Sequence, residues 1–141
     1  MMQAIEAVLP DEDGLKWFNH LYLRVTLAVQ NAPDHVKWNN EAWLTNLDVE
    51  FAKLYFNAVI THEADPNNTP RAWEVLFSAR NRSHTMRLQF ALAGMNAHIN
   101  HDLCIALVNT GQGMGIPVQS GRPEHQDFET VNGLLAEVET Q

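Results

Sequence analysis

At 141 residues, 45% hydrophobic and 18% charged, the chain is long enough for one domain with its own core and too apolar to be disordered. Its formal net charge of -8 argues against partners rich in phosphate, nucleic acid or an anionic membrane surface, because affinity there comes from Lys and Arg. Cys104 is the only cysteine, so no disulfide can form within the chain, and a reducing, cytoplasmic setting is expected.

The opening MMQAIEAVLPDEDG has no basic region followed by a long apolar run, so no signal peptide is expected. No segment reaches membrane-spanning length without polar residues. The spacing predicts a first helix from near Asp11–Asp13 to about Ala32, with the acidic PDED at its start and Pro33 at its end. Phe18, Leu21, Tyr22, Val25 and Val29 repeat along it at helical intervals. PDHVKWNN reads as a loop. A second helix is predicted from about Glu41 to His62, with Leu44, Phe51, Ala52, Tyr55 and Val59 on its apolar face. ADPNNTP is rich in turn formers. Thr69 followed by Pro70 reads as an N-cap and a first helical position, opening a short third helix to about Asn81. The fourth, about 83–109, is the longest and most apolar. GQGMGIPVQSGRP reads as loop, and GQGMG follows no strand, so it lacks the context of a phosphate-binding fingerprint. A last amphipathic helix carries Phe128, Val131, Leu134, Leu135 and Val138. No strand-like alternation and no repeat are seen. The expectation is one all-α domain over 1–141, a bundle of about five helices around a central apolar helix.

Polar residues break that pattern. On a helical wheel the fourth helix places Gly94, His98, His101, Asp102, Ile105 and Asn109 on one side and Gln89, Asn96 and Asn100 opposite. A surface helix has one polar face; two suggest a helix enclosed by others, with polar groups aimed at interior partners or a cavity. Gly94 in mid-helix costs about 1 kcal/mol relative to Ala, so close packing or a ligand is its expected reason. Asp48, Tyr55 and His62 lie seven apart along the apolar face of the second helix. His20 and Arg24 share a side of the first helix with Trp17. Singly, each has a structural explanation: Asp102 could orient His98 or pair with Arg24, and His62 suits a helix C-terminus. Together they suggest a site.

Three segments, WFNHLYLRVT (17–26), LDVEFAKLYFNAV (47–59) and FALAGMNAHINHDL (90–103), resemble a family of small, all-helical bacterial proteins of unknown function. The resemblance extends from the first helix to VNGLL. It implies a compact helical domain marked by Asn96, His98, Asn100 and the following Asp102. It brings no activity and no catalytic residues to carry over.

The functional expectation is a small-molecule enzyme without a cofactor, using acid/base chemistry in an internal pocket: an isomerase, cyclase, lyase or hydrolase acting on a hydrophobic metabolite. His98 would exchange the proton, Asp102 would hold its tautomer, and Tyr55 would be a second donor. Asn96, Asn100, Trp17, His20, Arg24 and Asp48 would bind the substrate. A second copy of the chain could close the pocket as a homodimer. Cys104 falls on an apolar part of the wheel and reads as inert core. Two alternatives stand beside this. One is a metal-dependent hydrolase using His98, His101, Asp102 and His62, although the Glu-x-x-His pairs of di-iron bundles and zinc spacing are absent. The other is a non-catalytic ligand-binding module.

Overall fold

The structure is a computed structural model that describes residues 1–32 and 36–139, with side chains to residue 136. Pro33 and the side chain of Val138, both used above, lie outside the described residues. Among the described residues there are seven α-helices and no strand: α1 (Met2–Val8), α2 (Gly14–Gln30), α3 (Glu41–Ala64), α4 (Arg71–Ala79), α5 (Arg87–Ala97), α6 (Leu103–Met114) and α7 (Pro123–Glu139). A 3-10 turn (Pro66–Asn68) precedes α4, and a π-helical turn (His98–Asp102) joins α5 to α6.

The helix starts follow local chemistry. Asp13 accepts from the Leu15 amide at 2.9 Å, and Asn40 accepts from the Trp43 amide at 3.1 Å, so each caps its helix. Arg80 grips the same Asp13 carboxylate through Nε and Nη2, tying the end of α4 to the start of α2. Thr69 does not cap α4 as expected. Its hydroxyl is bonded to His62 Nδ1 at 2.9 Å instead, and Pro70 takes the cap position.

The core is aromatic. Phe18, Tyr55 and Trp73 are fully buried and meet at ring-centroid distances of 5.1–5.4 Å. Each contributes on the order of 1.5–3 kcal/mol by leaving water. The α2–α5 crossing is built from two reciprocal contacts. A Cβ added to Gly94 would stand 2.3 Å from Phe18 Cγ, and one added to Gly14 would stand 2.4 Å from Phe90 Cδ1. Each helix offers a glycine to the other's phenylalanine, so close packing is the reason for Gly94. A second cluster, Trp43, Leu44, Leu47 and Ala106, packs against Phe128 and Val131 of α7. The buried Asp127 anchors α7 there, accepting from the Asn39 and Asn40 amides at 2.8 and 2.7 Å.

Several boundaries differ from expectation. α1 was not anticipated; it is held by Asn19, whose amide donates to Met2 O and to Glu6 Oε2, both at 3.0 Å. The long fourth helix starts at Arg87, not near 83, where the Met86 amide donates to Gln89 Oε1. It is then interrupted at 98–102, where the Leu103 amide bonds His98 O. The glycine segment GQGMG is mostly helical. Gly115 (φ +67) closes α6 by a Schellman turn, with its amide donating to Gln112 O and the Ile116 amide donating to Gly111 O.

Candidate active site

The π turn decides which side chains of this segment face inward. It adds one residue to the helical register, so the wheel drawn through 83–109 fails beyond it. The buried positions run Phe90, Ala91, Gly94, Ala97 and His98, then Asp102, Ala106, Thr110 and Gly111. Ile105 and Asn109 were assigned to that face and are exposed. Cys104 is exposed too, so it is not the inert core residue expected. His98 and Asp102, four residues apart, share one helix face and are both buried at the protein centre.

His98 is 1% exposed. Its ring stacks flat on Phe51 (centroids 3.6 Å, interplanar angle 3°) and meets the edge of Tyr22 at 4.5 Å. Phe18, Trp73 and Tyr55 complete the surround within 6.1 Å. Nδ1 lies 2.9 Å from Asp102 Oδ2. That oxygen also accepts from the Trp73 indole N–H at 3.1 Å, while Oδ1 is 2.8 Å from His101 Nδ1. One carboxylate therefore organises three rings. The other nitrogen of His98, Nε2, is buried and has no hydrogen-bond partner among the described residues. Burial holds the His98 pKa below its ordinary value against the opposing pull of Asp102, so the ring is neutral near pH 7. With Nδ1–H donating to Asp102, Nε2 carries an unshared lone pair.

Beside this dyad runs an apolar groove of about 150 Å³ between α2, α3, α6 and α7. Tyr22 and Phe51, which touch His98, belong to its wall, and Val25, Leu103 and Phe128 line it further along. Asp48 stands at its edge, open to water on one side and pressed against apolar neighbours on the other. That desolvation pushes its pKa up to about 6. Tyr22, facing Asp48 and Asp102, is held above its ordinary value, mainly by burial.

Of the other expected catalytic and substrate-binding residues, only Tyr55 joins the ring surround of His98. Tyr55 is buried, but its hydroxyl donates to Asn19 Oδ1 at 3.2 Å. Asn96 of α5 and Asn100 of the π turn are both exposed, and Asn100 Nδ2 donates to Asn96 Oδ1 at 2.6 Å. They do not line an interior cavity. His20 is exposed and bonded to Glu6 at 2.9 Å. Trp17 is half-buried, gives its indole N–H to Asp11 O and lies under Arg87. Arg24 is exposed, so it forms no buried pair with Asp102. Asp48 and His62 share a helix face, but fourteen residues at 1.5 Å each set them about 21 Å apart. For the metal alternative, His98 and His101 both direct Nδ1 to Asp102, and His62 faces Thr69 instead. Among the described residues no three His, Cys, Asp or Glu converge on one point.

Tyr22, Phe51 and Trp73 form parts of one His98 enclosure. They lie on three different helices, and only the fold joins them. No helix among the described residues is long and apolar enough to cross a membrane. The profile of DUF5995, a family of unknown function, matches residues 1–141. No curated protein and no solved structure matches the chain.

Proposed function

We propose, for a chain that belongs to the DUF5995 family of unknown function, that it takes a hydrophobic small molecule into the groove and moves a proton on it with His98. One observation carries this reading: the partnerless, buried Nε2 of a histidine whose other nitrogen is fixed. Leaving such an atom unpaired costs about 1–3 kcal/mol, which a purely structural side chain would not need to incur. Asp102 sets the tautomer that aims the lone pair outward from the dyad, and its charge stabilises the imidazolium formed on protonation. The dry aromatic surround strengthens that interaction. Phe51, whose ring covers one face of His98, also lines the groove, so the groove and the dyad share a wall. Such chemistry serves isomerisation, cyclisation, dehydration or hydrolysis. A reducing, cytoplasmic setting suits the exposed thiol of Cys104.

A second reading, a carrier without chemistry, is favoured by the sealing of His98 from solvent. Long-range proton–nitrogen NMR of the imidazoles separates the two, with benzyl alcohol as groove probe. The catalytic reading expects His98 Nδ1 protonated, Nε2 unprotonated, and an Nε2 resonance that moves as the probe binds. Binding with Nε2 unmoved favours the carrier. A proton found on Nε2 ends the catalytic reading outright.

A further inference from the structure

We infer that the groove selects a small organic cation with an apolar body, an arylalkyl- or alkylammonium, seating its charge on Asp48. This rests on the groove being the binding site proposed above. Among the described residues of the groove wall Asp48 is the one formally charged, and its neighbours there are aliphatic or aromatic apart from Thr26, Asn132 and the Tyr22 hydroxyl. No cation among the described residues answers it: Asp48 takes part in no ion pair and no hydrogen bond there, whereas Asp11 and Asp13 are both paired. Water reaches one side of the Asp48 carboxylate, and a ligand ammonium seated in the groove would supply a counter-charge on its apolar side. Two rings of the groove wall, Tyr22 and Phe51, are of the type whose faces attract an ammonium and repel an anion. The protein's net charge of -8 favours cations at longer range. The volume, about 150 Å³, matches roughly one benzene ring, the size of occupant that apolar cavities of that order accept. The rise in the Asp48 pKa agrees with the geometry, because the same desolvation that raises it strengthens an ion pair formed there.

The test is titration of the whole chain with three probes of one shape, benzylamine, benzyl alcohol and benzoate, near neutral pH. Calorimetry gives the affinities. Benzylamine should bind about tenfold or more tighter than benzyl alcohol, as a charge-assisted hydrogen bond implies, and benzoate weakest of all. Asp48→Asn should remove the preference for benzylamine over benzyl alcohol. In the wild type, benzylamine affinity should fall as pH drops through about 6, where Asp48 takes up its proton. Equal affinities for amine and alcohol, or an amine preference that survives Asp48→Asn, overturn the cation inference and leave the groove reading standing. Failure of all three probes to bind overturns both.

Discussion

Replacing Asp102 perturbs the buried site at its organising point. In Asp102→Ala the Trp73 indole N–H and His98 Nδ1–H lose their acceptor while remaining buried. Each orphaned donor costs about 1–3 kcal/mol, so the pair costs about 2–6 kcal/mol before any cavity is counted. Asp102→Asn is different. Its amide oxygen can stay where Oδ2 now serves Trp73 and His98, and its NH2 then faces His101 Nδ1. The His101 side chain is 43% exposed, so it can move its proton to the other nitrogen and accept. What is lost is charge assistance on the two buried bonds, about 1 kcal/mol each and so about 2 kcal/mol in all. Urea unfolding followed by tryptophan fluorescence measures both variants. The expected order of stability is wild type, then Asn, then Ala, with the slope on denaturant unchanged. If Ala is as stable as Asn, the carboxylate is not the shared acceptor on which the site has been built, and the assignment of the His98 tautomer falls with it.

Gly94→Ala and Gly113→Ala should act with opposite signs in the same melts. The first drives a Cβ into the enclosed Phe18 ring and should destabilise by about 1–3 kcal/mol despite a better helix former, while the second, with nothing within 4 Å, should stabilise by about 0.5–1 kcal/mol; a neutral Gly94→Ala refutes the reciprocal crossing of α2 and α5. Acid should reveal two opposed groups. His98 is held below its ordinary 6.5, so the unfolded chain takes that proton first and stability is lost as pH falls through 6.5. Asp48, raised from 3.8 to about 6, is protonated first in the folded chain, so its contribution grows as pH falls from about 6 towards 3.8. Asp48→Asn removes only the second effect, so its stability should fall more steeply than that of wild type between about pH 7 and 5; a parallel fall refutes the placement of Asp48 against the apolar wall.

Helical content, the order of the longer helices and a single cysteine without a partner were all legible in the sequence, because periodicity, caps and residue counts are local properties. Asp13 before an apolar repeat announces the start of α2 whatever the rest of the chain does. The spacing of His98 and Asp102 was legible too, since four residues place two side chains on one helix face in either an α-helix or this turn. α1 escaped notice because its seven residues have no strong cap or buried face of their own, and Asn19 reaches back across 17 residues to hold it. The exposure of Asn96, Asn100 and Cys104 was decided by which faces of α5 and α6 the neighbouring helices cover and by a π turn whose extra residue resets the wheel. That insertion leaves no local mark in composition. Only tertiary structure brings Tyr22, Phe51 and Trp73 from three helices around one imidazole and leaves its Nε2 without a partner. The reason is physical: a helix's existence depends on neighbours a turn away along the chain, whereas a site depends on which distant faces pack together, and packing is settled by the whole core at once.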